Sequence, residues 1–235
     1  ERWFKRKMKI SIITVTKNNK AGLLRAIDCI RNQTYQNIEH IIVDGGSTDG
    51  TKENLRQSQD DLLPTTDYQL LSISEPDNGI YDAINKGIKL ATGEVIGLLH
   101  SDDLYAHKNV LSEYAKAFSN NNVDAVYSDL VYVKEKSKVK SQMSEGNGDQ
   151  LVEQFTTDYP LLITNYNTIR YWKTQKKEFN TESQRHRSLL NGWMPHHPTL
   201  FIRKTVFDKY GLYDTTFEIA ADYEMVQRSD RKSVV

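Results

Sequence analysis

The stretch Glu94-Val95-Ile96-Gly97-Leu98-Leu99-His100-Ser101-Asp102-Asp103 decides the fold of this chain of 235 residues. Its β-branched and aliphatic residues stop at two adjacent carboxylates, which is typical of a buried strand that delivers acid groups to the carboxyl edge of a sheet. Open α/β sheets bind their ligands at that edge. Two neighbouring carboxylates repel each other unless a positive charge lies beside them, and a divalent cation is the simplest such charge.

Strands and helices alternate through the first half of the chain. Apolar runs without a helical period predict strands over 10–16, 38–43 and 70–74. Apolar residues at helical spacing predict helices over 23–32 and 80–91, and a polar helix over 51–59 lies between them. A helix over 108–119 and a strand near 125–127 continue the pattern. We therefore expect an α/β fold in which helices flank a mostly parallel central sheet.

The alternation becomes weaker in the second half. Two alternating stretches within 131–142 predict a hairpin, 144–150 reads as a loop, and 159–187 has no clear period. A strand over 199–202, a helix over 205–210 and an ordered segment over 217–228 follow. This half predicts a smaller antiparallel or irregular region beside the parallel sheet.

Composition excludes several classes of partner and site. Lysine plus arginine and aspartate plus glutamate number 31 each, so no overall field favours nucleic acid. Cys29 is the sole cysteine, which excludes an intrachain disulfide and fits a reducing compartment. Because no apolar run approaches the roughly 20 residues of a membrane span, we expect a cytoplasmic protein. Residues 1–7 are basic and aromatic, and we expect either an upstream extension or a peripheral membrane contact there.

Four polar or acidic clusters follow predicted strands, at 14–18, 44–50, 75–79 and 101–103. In a parallel sheet the ends of these strands lie along one edge, so the clusters are expected to converge. Each cluster alone has an ordinary explanation; 44–50, for example, can be a tight turn capped by Thr48 or Asp49. The glycines at 45, 46 and 50 miss the spacing of a dinucleotide-binding loop, and the chain has no phosphate-loop motif.

Taken in order, these clusters resemble glycosyltransferase family 2 of the bacterial surface-polysaccharide type. The similarity is carried by 12–18, 42–51, 75–87, 91–94 leading into 101–103, 197–203 and 221–224. It implies one domain with the GT-A (Rossmann-like) fold over 8–228. Residues 8–130 would be its nucleotide-sugar-binding half and 131–228 its acceptor-side half. Residues 229–235 would be a polar tail that ends before the family usually does.

The resemblance also implies roles for the matching positions. Asp222 stands at the position of the family's catalytic base. Asp103, in a Ser-Asp-Asp sequence where the family has Asp-x-Asp, would bind Mg2+ or Mn2+, and His197 would lie near the same metal or the diphosphate. On sequence alone, 195–198 can equally be a rigid turn. The positions implied to bind the nucleotide sugar are Thr14, Thr16, Asn18, Asp44, Asp77, Lys86, Ser101 and Asp102.

The implied reaction transfers a sugar from a nucleoside-diphosphate-sugar to a hydroxyl of a saccharide or lipid-linked saccharide, at the inner face of a membrane. A UDP-sugar is the first expectation for the donor, with a GDP- or dTDP-sugar as the alternatives. A single base predicts inversion, because retention through a covalent intermediate needs a second nucleophile close by. Two other hypotheses stay open: a sugar nucleotidyltransferase, and an inactive module that binds nucleotide sugars or glycans.

Overall fold

The computed structural model describes residues 7–60, 67–120, 123–135, 166–172 and 194–231. The strands are β1 (Ile10–Thr16), β2 (Ile38–Asp44), β3 (Tyr68–Ser74), β4 (Val95–Leu98), β5 (Ala125–Val126), β6 (Leu130–Glu135), β7 (Tyr166–Trp172) and β8 (Phe201–Arg203). The helices are α1 (Lys20–Arg31), α2 (Thr51–Asp60), α3 (Ile80–Leu90), α4 (Val110–Asn120), α5 (Lys204–Tyr210) and α6 (Ala221–Arg231), with a 3-10 turn at His197–Thr199. The strands and helices predicted for the first half are all present.

A six-stranded sheet in the order β3-β2-β1-β4-β8-β5 forms the centre of the molecule. β1 pairs in parallel with β2 and β4, and β2 pairs in parallel with β3. β8 runs antiparallel to both β4 and β5. The strand order reverses at β1, and such a reversal opens a crevice at the carboxyl ends of the strands. The predicted mostly parallel α/β sheet is confirmed.

Different helices cover the two faces of this sheet. Ile10 and Ile12 of β1 pack with α1 and α4, whereas Ile13 and Val15 pack with α3, α5 and α6. Successive strand residues point to opposite faces. All seven residues of β1 are therefore buried, as expected for a central parallel strand.

Close packing brings the segment before β8 against β4. A Cβ atom added at Gly97 would lie 2.3 Å from Phe201 Cε1, so only glycine lets the two strands approach this closely. The Phe201 ring stacks on Tyr114 with 3.9 Å between ring centroids. The Tyr114 hydroxyl donates to the Thr199 carbonyl at 2.6 Å. These contacts fix the turn that carries His197 beside the carboxyl end of β4.

β6 and β7 form a separate antiparallel sheet, with a register shift between Tyr132 and Val133. The sequence predicted a hairpin within 131–142. The structure instead pairs β6 with β7, which lies in a region without a predicted element, because pairing between distant segments leaves no local signal. Residues 136–142 and the expected loop at 144–150 lie outside the described residues.

At the carboxyl end, α6 continues to Arg231, so the first residues of the expected polar tail are helical. None of the helices within the described ranges is long and apolar enough to cross a membrane. The proposed division into two halves near residue 130 stays a prediction.

Candidate active site

The carboxyl ends of three parallel strands align at one edge of the sheet. Thr16, Asp44 and Ser74 are paired in register across β1, β2 and β3. Thr16 is 6% exposed, and its hydroxyl has no hydrogen-bond partner among the described residues. Buried polar groups are normally paired, so this hydroxyl fits an edge that receives a polar ligand.

Asp44 is fully buried at this edge and closes the loop that follows β2. Its carboxylate accepts hydrogen bonds from the Ser47 amide at 3.2 Å, from the Ser47 hydroxyl, and from the Ser74 hydroxyl at 2.7 Å. The Ser47 amide lies 3.2 Å from both carboxylate oxygens, so these three donors make four contacts with Asp44. An N–H group of a ligand that binds Asp44 would have to share an oxygen with one of these donors or replace it.

Asn18 organises the same loop from the end of β1. Its backbone lies in the left-handed region at φ +52°, and its amide donates to Ser47 Oγ at 2.7 Å. The Asn18 side-chain oxygen accepts from the Thr48 amide at 2.9 Å. The Lys20 amide, at the start of α1, donates to Asp49 Oδ2 at 3.0 Å. Asn18 therefore shapes the candidate pocket through its contacts with the 45–50 loop.

Asp77 lies directly against the loop after β2. A Cβ atom added at Gly45 would lie 2.1 Å from Asp77 Oδ2, so glycine at this position makes room for the carboxylate. The other oxygen, Oδ1, accepts from the Gly79 amide at 3.1 Å. The structure thus places Asp77 against the residue that follows Asp44, although the two segments are far apart in sequence.

Lys86 lies on α3 and holds the 75–79 loop onto that helix. Its ammonium contacts Glu75 Oε1 at 2.9 Å, the Pro76 carbonyl at 2.8 Å and Asp82 Oδ2 at 3.4 Å. The hydrogen bond with Glu75 and the nearby carboxylates raise the Lys86 pKa. These contacts favour a supporting role for Lys86 over the predicted contact with the nucleotide sugar.

Thr14 does not reach the edge. It is 0% exposed, and its hydroxyl is 2.9 Å from His40 Nε2. The other ring nitrogen of His40 is 2.8 Å from the Tyr68 hydroxyl. The predicted place of Thr14 in the nucleotide pocket is not favoured, because Thr14 lies two residues before the end of β1, on the same face as Thr16 but beneath the edge, where His40 occupies its hydroxyl.

The loop after β4 carries the Ser-Asp-Asp sequence. Ser101 is buried, and its hydroxyl accepts from Asn19 Nδ2 at 3.2 Å. Asp102 is exposed, and Asp103 is half-buried beside it. Burial, reinforced by the neighbouring Asp102 charge, raises the Asp103 pKa to about 6. Because burial and the Asp102 charge disfavour the ionised form of Asp103, a cation beside it would stabilise that form.

The residues of this loop fit a hard divalent cation. Within the described ranges, no group of three or more His, Cys, Asp or Glu side chains is arranged to hold a metal ion. Mg2+ commonly binds through one or two carboxylates and completes its shell with substrate phosphate oxygens and water. Asp103, with Asp102 beside it, suits that mode, in which a bound diphosphate provides further ligands.

Asp222 lies in the first turn of α6, where two aromatic side chains from other parts of the chain meet it. The Tyr81 hydroxyl donates to Asp222 Oδ1 at 3.2 Å. His197 Nδ1 lies 3.9 Å from Asp222 Oδ2. The Asp222 side chain is 18% exposed, so its carboxylate is open to a ligand.

His197 also contacts His100, with 3.0 Å between the two Nε2 atoms. Burial holds the His197 pKa below its usual value, although Asp222 opposes this shift. Burial and the neighbouring His197 lower the His100 pKa to about 4. Both rings are therefore neutral near pH 7, and one can donate to the other. Since both nitrogens of His197 face protein groups, the predicted metal-binding role of His197 is not favoured.

Side-chain contacts connect neighbouring loops of the site. Ser74 and Asp77 join the end of β3 and its loop to Asp44 and Gly45, and Tyr81 joins the start of α3 to Asp222. His197 joins Asp222 to His100, whose carbonyl accepts from the Asp103 amide at 3.0 Å. Sequence reasoning did not assign roles to Ser47, Ser74, Tyr81 or His100. Their only sequence signal is their position in or beside the strand-end clusters.

Known proteins resemble this chain in sequence. The family model described as Glycosyl transferase family 2 matches residues 11–211. A protein of Mycobacterium tuberculosis named as an uncharacterized glycosyltransferase is 38% identical over 111 residues, or 47% of this chain and 40% of that protein. A PGL/p-HBAD biosynthesis glycosyltransferase of the same species is 34% identical over 122 residues, or 52% of this chain and 46% of that protein. The chain thus spans less than half the length of these relatives.

Solved structures share the fold at low identity. The mannosyltransferase PcManGT from Pyrobaculum calidifontis, in complex with GDP-Man and Mn2+, gives a TM-score of 0.61 at 17% identity. That match covers 96% of this chain and 52% of the other. TarS 1-349 of S. aureus in complex with UDP gives a TM-score of 0.61 at 17% identity, covering 94% and 55% of the two chains. These matches confirm the expected GT-A architecture.

Proposed function

The chain belongs to glycosyltransferase family 2, and we propose that it transfers a sugar from a nucleoside-diphosphate-sugar to a hydroxyl group with inversion. The arrangement of Asp44, Asp103 and Asp222 is the observation that carries this proposal, with Asp222 linked to the loop after β4 through His197 and His100. It places a buried acceptor for the nucleotide, a candidate cation site and a candidate base near the carboxyl edge of one sheet.

Asp44 is the proposed partner of the nucleotide base. Its carboxylate, sharing an oxygen with one of the serine donors, would accept a ring N–H group, which uracil, thymine and guanine all offer. Thr16 provides a further polar atom at the same edge, and Asp77 lies against the Asp44 loop. A UDP-sugar is our first choice of donor and a GDP- or dTDP-sugar the alternative.

Asp103, assisted by Asp102, is the proposed ligand of Mg2+ or Mn2+. When bound, the cation supplies positive charge beside the diphosphate leaving group. Ser101 fixes the loop through its contact with Asn19, so the two carboxylates keep their place at the end of β4.

Asp222 is the proposed general base. An acceptor hydroxyl is a poor nucleophile until a positioned carboxylate takes its proton. As the acceptor oxygen bonds to the anomeric carbon, the bond from that carbon to the diphosphate oxygen breaks, and the nucleoside diphosphate leaves with the electron pair. Attack opposite the leaving group inverts the anomeric carbon, and the proposed acceptor is a saccharide or a lipid-linked saccharide.

The test combines a binding screen with one substitution. We expect a nucleoside diphosphate of one base to raise the thermal midpoint, and to raise it further when Mn2+ is present. Asp222→Asn should keep this shift and lose sugar transfer and donor hydrolysis by at least about 100-fold. Asp208→Asn, which removes an exposed carboxylate paired with Lys204, is the matched control and should keep full activity.

Three results would contradict the proposal. Full turnover by Asp222→Asn would show that Asp222 is not the general base. Release of pyrophosphate that depends on a sugar 1-phosphate would indicate a nucleotidyltransferase instead. Metal-dependent nucleotide binding by a full-length protein that neither transfers sugar nor hydrolyses the donor would indicate a binding module.

A further inference from the structure

Tyr81 and Asp222 are 141 positions apart, yet their side chains meet at the candidate active site. Tyr81 lies in the first turn of α3, immediately after the 75–79 loop that carries Asp77. Its ring packs on the buried ring of Tyr213, with 5.7 Å between ring centroids. The tyrosine is therefore held from behind, and its hydroxyl is directed at the carboxylate.

The two oxygens of Asp222 have different surroundings. Oδ1 accepts the Tyr81 hydrogen bond at 3.2 Å. Oδ2 lies 3.9 Å from His197 Nδ1, which is too long for a hydrogen bond. Among the described residues, no other hydrogen-bond donor reaches Oδ2. A general base needs an oxygen with an available lone pair, so Oδ2 is the better placed of the two.

The protonation state of Tyr81 suits a donor. Burial, followed by the negative charge of Asp222, raises the Tyr81 pKa above its usual value. The backbone amides of Ala221 and Asp222 act in the opposite direction on the phenol oxygen. Tyr81 thus stays protonated at neutral pH and touches both the carboxylate and the start of α6.

We propose that Tyr81 is a positioning residue: it fixes Oδ1 of Asp222 and leaves Oδ2 to take the proton of the acceptor hydroxyl. This proposal rests on the proposed function, in which Asp222 is the general base. A carboxylate bonded through one oxygen has fewer accessible rotamers, so its second oxygen meets the acceptor hydroxyl in one orientation. Because Tyr81 follows the donor-binding loop directly, the contact also ties the base to the part of the chain that binds the donor.

Three variants test this assignment. Tyr81→Phe removes the hydroxyl and keeps the ring. Tyr35→Phe is the matched control, because Tyr35 is also half-buried and donates one hydrogen bond, to the Met8 carbonyl, at the opposite edge of the sheet. The assay is release of nucleoside diphosphate from UDP-glucose, UDP-N-acetylglucosamine or GDP-mannose with Mn2+, using the donor that the wild-type protein hydrolyses fastest. The third variant combines Tyr81→Phe with Asp222→Asn.

We expect Tyr81→Phe to lower kcat about 10- to 100-fold, the range expected when a hydrogen bond to a charged group is lost. Its donor KM should stay within about twofold of the wild-type value, because Tyr81 does not touch the donor in this assignment. Tyr35→Phe should keep both constants. The double variant should be no slower than Asp222→Asn alone, since a residue that acts through Asp222 has nothing left to position.

The outcomes separate the two levels of the proposal. Wild-type kcat in Tyr81→Phe, or a change in KM alone, would overturn the positioning role while Asp222→Asn still reports the base. A further loss in the double variant would show that Tyr81 acts elsewhere. Full turnover by Asp222→Asn, or no hydrolysis of any donor by the wild-type protein, would instead overturn the proposed function.

Discussion

His40 should make the stability of this protein depend on pH. The ring is 0% exposed in the centre of β2, between the Thr14 and Tyr68 hydroxyls. Burial, and then the positive charge of Arg31, lower the His40 pKa from 6.5 to about 3. The informative perturbation is His40→Gln, because glutamine keeps a donor and an acceptor but does not titrate near neutral pH.

The sign and size follow from proton linkage. Because the folded-state pKa lies below the unfolded one, the unfolded chain binds an additional proton as the pH falls below 6.5. The His40 contribution is therefore fully present above that pH and is lost as the pH falls towards 3. One proton corresponds to about 1.4 kcal/mol per pH unit, so lowering the pH from 6.5 to 4.5 should cost about 3 kcal/mol of unfolding free energy.

Urea denaturation of both proteins between pH 4.5 and 7.5 measures this effect. Other groups titrate in the same range, so the informative quantity is the wild-type unfolding free energy minus that of His40→Gln at each pH. We expect this difference to be constant above pH 6.5 and to fall by about 3 kcal/mol at pH 4.5. A difference that stays constant over the whole range would refute the assignment of His40 as a buried neutral ring.

Three further predictions concern the site. Thr14→Val should lower the unfolding free energy by about 1–3 kcal/mol, because His40 loses a buried partner, and should leave the nucleotide Kd unchanged. Weaker nucleotide binding in calorimetry would show instead that Thr14 contacts the nucleotide. Gly45→Ala should weaken donor binding by about 10-fold with little change in thermal midpoint, because the added Cβ would lie 2.1 Å from Asp77 Oδ2 and displace that carboxylate. An unchanged donor KM would contradict this role of Asp77. Asp103→Asn should raise the Mn2+ concentration needed for half-maximal activity by at least about 10-fold, while nucleotide binding without metal persists. An unaltered Mn2+ requirement would exclude Asp103 as a metal ligand.

The general architecture was predictable because it depends on local patterns. The apolar run of β1 and the helical spacing of α3 each record which side chains the fold must bury. The polar clusters after the strands mark the carboxyl edge of a parallel sheet, so the general location of the candidate site was also predictable. Asp44 and Asp77 were identified in this way, and the structure places Asp77 against Gly45, the residue after Asp44.

Other features depended on contacts that no local pattern records. The partner of β6 is β7, a distant segment whose own sequence has no clear period. Thr14 belongs to a strand-end cluster by position, but its side chain faces His40 in the core. Thr16, two residues later on the same face of β1, reaches the edge, and cluster membership alone cannot tell which of the two hydroxyls a neighbouring strand will cover.

The sequence by itself determined an alternating α/β chain with a polar edge and the family signature in order. Only the tertiary structure decided that Tyr81 donates to Asp222, that His197 faces His100, and that Lys86 on α3 binds the 75–79 loop. The physical reason is that each helix or strand must bury one set of its own side chains, so the spacing of apolar residues along the chain records that element locally. Hydrogen bonds between distant side chains depend instead on which strands become neighbours and how closely their helices pack against them.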